Sequence, residues 1–503
     1  MMPAIVLATL NARYIHASLG LRYLYANMGS LREHTTLMEF TIDQRPIDIA
    51  ETLLRHQPRV IGLGVYIWNV EQTAMLVALL KQIAPQVSIV LGGPEVSYEH
   101  HNREIIEHAD YIICGAGDVA FGELCAAIIQ GTPPSAKILA PALPDLSELT
   151  LPYAFYTDED LRHRLTYIEA SRGCPFKCEF CLSALDKTAW PFDITRFLNE
   201  MENLYQRGAR HFKFVDRTFN LNVKTSIRIM EFFLARMDKE IFVHFELVPD
   251  HLPDSIKETI ARFPVGQLQF EIGIQTFNRD VQTLISRRQD DEKSAANLQW
   301  LRENTQAHIH ADLIFGLPGE DLESFGRGFD RLVQLNPHEI QVGILKRLRG
   351  TPIIRHTQAY AMRYNPHPPY NVLATDCVDF ETMQRMSRFA RYWDMIANSG
   401  RFNFTRPYIL GDRPFDNFLL LADTIWAQTG QTHRIAMERL FEILSRILPQ
   451  LHPGSADAIH QTLIADFRAT GALHTPKSLK NPPTPAIERT TTRQRQSRHH
   501  RAP

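Results

Sequence analysis

In the stretch SRGCPFKCEFCLSA, Cys174, Cys178 and Cys181 stand at i, i+4 and i+7, in a chain with six cysteines among 503 residues. The same spacing marks one face of a helix, but Gly173 and Pro175 flank the first thiol and disfavour helix there, so the segment reads as a loop closing on something. Thiolates are soft ligands that favour zinc or iron-sulfur centres. Structural zinc ordinarily takes four protein ligands, often as two C-x-x-C pairs. No second pair exists in this chain, and Cys377 would have to be recruited from far away in sequence. A 4Fe-4S cluster held by three cysteines leaves one iron without a protein ligand, open to chelate a substrate. The residues favour the cluster over zinc or inert thiols. Cys114, Cys125 and Cys377 are scattered, which is no disulfide framework and suggests a reducing compartment.

The elements that must position this loop are legible as two alternating series. In the first 130 residues, AIVLATL, TTLMEFTI, VIGLGVYI, SIVLGGP and YIICGAG are short Val- and Ile-rich runs separated by segments with helical spacing, such as Leu76, Leu79, Leu80 and Ile83. That alternation predicts a doubly wound parallel sheet, Rossmann-like, with ligands at the strands' carboxyl ends. Those ends carry Asn11, Tyr66 to Asn69, Gly92-Gly93-Pro94 and Gly115-Ala116-Gly117, where paired glycines let backbone approach a ligand or simply make turns. Residues 131–165, rich in proline, read as a connector. A second series follows over 166–365: TYIEAS, HFKFVD, FVHFELV, LQFEIGI, IHADLIFG and IQVGILK, with helices between them, predict a partial (β/α) barrel. The three cysteines follow its first strand. Over 366–474 the pattern is helical, with Phe380, Met383, Met386, Phe389 and Trp393 forming a core stripe rather than a site.

With 44% hydrophobic and 22% charged residues, no apolar run of the ~18 residues that span a bilayer, and an opening MMPAIVLATL that reads as a strand, a cytoplasmic protein is expected, with no membrane partner. A net charge of -2 gives no general attraction to nucleic acid. Residues 475–503, with Lys480, Arg489, Arg493, Arg495 and Arg498 among Pro, Thr and Gln, read as a disordered basic tail.

CPFKCEFC after the first barrel strand resembles the C-x-x-x-C-x-x-C signature of the radical S-adenosylmethionine (SAM) superfamily, with aromatic Phe180 before the last cysteine. The resemblance implies that Cys174, Cys178 and Cys181 hold a 4Fe-4S cluster whose free iron chelates SAM, and that one electron cleaves SAM to methionine and a 5'-deoxyadenosyl radical. ELVP, GIQTFN, SRR and DLIFGLPGE resemble the branch with oxygen-independent coproporphyrinogen oxidase and the methylthiotransferases. By position this implies SAM contacts from Phe180, Glu246, Gln275, Arg287 and Asp312. FVDRTFN stands where the superfamily often has Gly-Gly-Glu, which makes Asp216 and Asn220 candidates for the SAM amino group.

A doubly wound domain ahead of such a barrel resembles the cobalamin-binding subclass, with an uncharacterised helical domain at its C-terminus. That implies cobalamin contacts from Tyr66, Gly92, Gly93, Gly115 and Gly117. The Asp-x-His-x-x-Gly segment of cobalt-ligating domains is absent: aligned on His16, the outer positions hold Tyr14 and Leu19. Either cobalamin binds without a protein histidine on cobalt, or the domain has lost the cofactor. The function implied is methyl transfer to an unactivated centre of a small-molecule or peptide substrate, with a flavodoxin- or ferredoxin-like electron donor. The alternatives are radical rearrangement or oxidation, and a non-catalytic module organised by a metal. RNA methylthiolation would need a further cysteine trio in the N-terminal domain, where only Cys114 and Cys125 stand. Arg347, Arg349, Tyr364 and Tyr370 could shape a substrate pocket or serve structure.

Overall fold

The computed structural model describes residues 4–186, 188–237, 240–472 and 479. Its first sheet is parallel, with β1 (Ala4–Asn11), β2 (Thr35–Thr41), β3 (Pro58–Gly64), β4 (Ser88–Gly92), β5 (Tyr111–Ile113) and β6 (Ile138–Leu139) in the order β2-β1-β3-β4-β5-β6. Strand residues alternate between two cores. Val6, Ala8, Leu10, Ile61 and Leu63 pack on the helices Pro46–Leu54 and Val70–Ile83, while Ile5, Leu7, Val60 and Val90 pack on Leu19–Ala26 and Ala120–Gln130. Buried runs such as VIGLG arise because both faces are covered. The order reverses between β1 and β3, the place where a doubly wound sheet opens a crevice at its carboxyl edge. Residues 131–165 are more than a connector. They add β6 to the sheet edge and carry a helix, Asp158–His163, capped reciprocally by Thr157 and Asp160.

The second sheet is also parallel and runs in sequence order: β7 (Thr166–Ile168), β10 (His211–Phe214), β11 (Phe242–Leu247), β12 (Leu268–Gln275), β13 (His308–Phe315) and β14 (Glu339–Ile344), an open six-stranded partial barrel. Between its first two members sits a short antiparallel pair, β8 (Ser171–Arg172) and β9 (Trp190–Pro191). The period of two along each strand sorts the side chains. Phe245, Phe270, Ile272, Ile309 and Ala311 point to the helices and are buried. Lys213, His244, Glu246, Glu271, Gly273, Gln275, His310 and Asp312 occupy the opposite set of positions, so the lumen is polar. Helices Phe380–Ile396 and Pro414–Thr429 seal the barrel's outer face through ring contacts among Phe329, Phe389, Trp393, Phe415 and Phe418. The basic tail expected over 475–503 lies outside the described residues, apart from buried Leu479. No helix among the described residues is long and apolar enough to cross a membrane.

Candidate functional site

The cysteine loop is held from three sides. Gly173 sits at φ +88, and any Cβ there would run into the carbonyl of Thr188. The Cys174 amide donates to the Asp186 carbonyl at 3.0 Å. Buried Glu179 then ties the loop to its neighbours: its carboxylate accepts from the Ser286 hydroxyl at 2.6 Å and the Arg355 guanidinium, and it lies 2.9 Å from His356 Nε2. Its amide donates to Ile285 and its carbonyl accepts from Ile353, both at 3.0 Å. Cys174 and Cys178 are buried and Cys181 partly exposed. Burial pushes the Cys174 and Cys178 thiols up, while Arg287 Nη1, 3.6 Å from Cys178 Sγ, pulls Cys178 the other way. A bound cation would reverse the burial effect and leave thiolates.

The thiols border a cavity of about 240 Å³ that is also lined by Phe180, Glu246, Gln275, Arg287 and Asp312, so the five positions implied for SAM share one space with the three cysteines. Gln275 is at φ +70, an unusual conformation for its residue type, and its Oε1 is buried without a hydrogen-bond partner among the described residues. Gly273 makes room for it, since a Cβ there would collide with the Gln275 amide. Glu246, raised by burial, accepts from Arg217 Nη1 at 2.6 Å. Beneath them the lumen's polar groups pair: His244, its pKa lowered by burial, with Glu271 at 3.1 Å, and His310 with Asp312 at 3.2 Å and Glu339 at 3.3 Å. Burial opposes a charged His310 ring, but hydrogen bonds to Asp312 and Glu339 prevail and hold its pKa at about 10. A single zinc ion needs ligands gathered to a point. Among the described residues no three His, Cys, Asp or Glu side chains are so gathered. Three soft donors lining one cavity fit a multi-iron cluster better.

A larger cavity of about 880 Å³ lies between the carboxyl edge of the first sheet and the mouth of the barrel. Tyr66, Gly92, Gly93, Gly115 and Gly117 all line it. Gly93 is at φ +106, and a Cβ would stand 2.5 Å from the Val65 carbonyl oxygen. Tyr66 stacks on Trp68 with ring centres 4.6 Å apart, in a loop fixed by Asn69, whose Nδ2 donates to the Leu10 carbonyl at 2.9 Å. The concave, glycine-lined edge fits a flat, bulky macrocycle. Partly buried Arg172, directly ahead of the cysteines, joins the halves: it donates to Asp118 at 2.9 and 3.0 Å and to Glu169 at 2.8 Å, and lies over the Tyr23 ring. Nothing in the Cys spacing signals this arginine, although its place in SRGCP does.

Several candidates sit elsewhere. Asp216 lines the larger cavity, not the smaller, because its carboxylate is turned to the Ala170 amide and the Ser171 hydroxyl, and burial raises its pKa to about 7. Asn220 is buried as a clamp, accepting from the Val248 amide and donating to the Val248 and His251 carbonyls. The residues of that segment that do reach the smaller cavity are Arg217 and Thr218. His16 lines neither cavity. Its Nδ1 meets the Tyr167 hydroxyl at 2.7 Å, a contact between domains. Arg347, Arg349 and Tyr370 line neither cavity and instead pair with Glu95 and Glu99 of the first domain, and the Tyr364 hydroxyl meets Met362 Sδ at 3.2 Å. Cys377 is exposed and lines neither.

Comparison with known proteins divides the chain in the same way. Residues 5–125 match the B12 binding domain, 168–332 the radical SAM superfamily and 358–501 a family of unknown function, DUF4080. The chain is 26% identical over 326 residues to the cobalamin-dependent radical SAM methyltransferase TokK of Streptomyces tokunonensis, covering 58% of this chain and 47% of TokK. It therefore spans about half the length of the curated relatives it matches. Among solved structures, the radical SAM methyltransferase TsrM of Kitasatospora setae superposes with a TM-score of 0.61 at 15% identity, over 93% of this chain and 100% of that one. The cobalamin-dependent radical enzyme OxsB superposes with a TM-score of 0.64 at 13% identity, over 95% and 83%. At such identities the likeness is one of fold: a B12-binding-type domain, a radical SAM domain and a helical C-terminal region in one chain.

Proposed function

We propose that this chain, a B12-binding domain joined to a radical SAM domain, is a cobalamin-dependent radical SAM methyltransferase acting on an unactivated centre of a small-molecule or peptide substrate. One observation carries the reading. The cavity that holds the three thiols and the cavity that opens on the strand-end glycines meet at a single residue, Arg217, which lines both. A substrate atom placed there would be within reach of both sites, as hydrogen abstraction and methylation of the same centre require. The named relative TokK and the solved structure of TsrM, both methyltransferases, support the reaction class.

Cys174, Cys178 and Cys181 would hold a 4Fe-4S cluster, and Glu246, Gln275, Arg287 and Asp312 the adenosine and methionine parts of SAM. Tyr66 and the glycines at 92, 93, 115 and 117 would seat cobalamin. With these bound, the cluster would supply the electron that cleaves SAM and cobalamin the methyl group. The chain's own part is placement: Glu179 fixes the cysteine loop, Asn69 the Tyr66 loop, and Arg172 the distance between them. The electron would come from a flavodoxin- or ferredoxin-like donor.

The test is product analysis on protein prepared without oxygen, supplied with cobalamin and reduced chemically. The reading predicts 5'-deoxyadenosine together with S-adenosylhomocysteine. 5'-Deoxyadenosine alone would contradict methyl transfer, and neither product from a reduced, intact cluster would contradict the enzyme.

A further inference from the structure

Arg217 is unlike Arg172 and Arg287, two other arginines at these cavities. Arg172 is fully engaged by Asp118 and Glu169. Arg287 is engaged by Gly273, Gln289 and Cys178. Arg217 spends one nitrogen, Nη1, on Glu246, and its Nε and Nη2 have no hydrogen-bond partner among the described residues. Its side chain is 50% exposed although it stands deep between two domains, so the exposed half faces cavity space. Glu246 fixes one edge of the planar fork and leaves the other presented.

The surroundings sharpen what that edge can take. The barrel-side wall of the larger cavity carries Glu169, Asp186 and Asp216, all acids. The wall's other cation, Arg172, has its nitrogens taken by Asp118 and Glu169, so among the described residues the guanidinium donors left for an anion entering from that side are the two at the junction. A guanidinium edge matches a carboxylate or phosphate with paired, charge-assisted hydrogen bonds. Asp216, next in the chain, does not compete, because its carboxylate turns to Ala170 and Ser171. Arg288 is the useful contrast: it lines only the smaller cavity.

We propose that Arg217 is the residue that sets substrate class, binding a carboxylate or phosphate of the substrate at the junction and so holding the reacting centre between the two cavities. This rests on the reading that both cavities serve one reaction. The same edge could be claimed by the carboxylate of SAM, so the test separates the two sources.

The probes are benzoate and phenyl phosphate, with benzamide as the neutral control. Their binding is measured by saturation-transfer NMR on the full chain loaded with cluster, cobalamin and SAM, kept oxidised so that no turnover is needed. Wild type and R288Q should bind either anion at least about tenfold more tightly than benzamide, the effect of a charge-assisted pair. R217Q should lose that preference while keeping its affinity for SAM within about twofold, and R217K should retain part of it, as a point charge without the fork. An absent preference in the wild type, or one that survives R217Q, overturns the proposal. So does a tenfold loss of SAM affinity in R217Q with the preference intact, which would assign the guanidinium to SAM. A wild-type chain that cleaves no SAM when reduced fails the methyltransferase reading instead, whatever the binding arms give.

Discussion

Gly93 shows how much a single position can decide. With φ +106 and ψ 168 it occupies a region open essentially to glycine alone, and the Val65 carbonyl fills the place of a side chain. G93A should cost about 2 kcal/mol or more of stability, read as a lower urea midpoint, and should weaken cobalamin retention while leaving iron content unchanged. At this scale the sequence was most readable where chemistry restricts residue type. Three thiols could be placed in a loop because Gly173 and Pro175 disfavour the helix their spacing would also fit, and the glycines at 92, 93, 115 and 117 from their positions after strands. Arg217 and Arg172 were not readable in that way. An arginine's role is set by which carboxylates the fold brings to it, and Glu246 and Asp118 come from distant segments. Asp216 and Asn220 were misplaced for the same reason: a strand-end polar side chain can turn to its own neighbours as easily as to a cavity.

At the scale of elements, alternation along β11, β12 and β13 gives the barrel an apolar outside and a charged lumen. His310 lies between Asp312 and Glu339 on that inner face. Its pKa is raised from 6.5 to about 10, so its charge stabilises the fold fully below pH 6.5, and that contribution fades as pH rises toward 10. The stability cost of H310Q should therefore be larger at pH 6 than at pH 10, measured by urea denaturation; an equal cost at both would contradict the ion pairs. Five strands of the first sheet and all six of the second were legible because buried parallel strands are short Val- and Ile-rich runs. The edge strand Ile138–Leu139 was not: two residues in a proline-rich stretch carry no periodicity, and only pairing with β5 makes them a strand.

In the whole molecule, the larger cavity exists because two domains are held at a fixed distance. One tie is Arg172. Another is the latch at the far side, where Arg347 reaches Glu99 at 2.7 Å, Arg349 reaches Glu95 at 2.8 Å, and the Tyr370 hydroxyl donates to Glu95 at 2.6 Å. Glu95 follows directly on Gly92-Gly93-Pro94 and Glu99 lies one short turn beyond, so the latch also steadies the glycine turn. Removing both arginines should cost about 2 kcal/mol by uncovering buried Glu95. Amide hydrogen exchange should speed up at 93–99 while the barrel strands keep their protection.

The central claim is that one chain carries two separate cofactor sites facing each other. The measurement that tests it most directly is cofactor content after oxygen-free reconstitution of wild type, C178A and G93A. The account predicts about four irons and four sulfides with about one cobalamin per wild-type chain, iron lost but cobalamin kept in C178A, and the reverse in G93A. Zinc in place of iron, or cobalamin absent from the wild type, would contradict it.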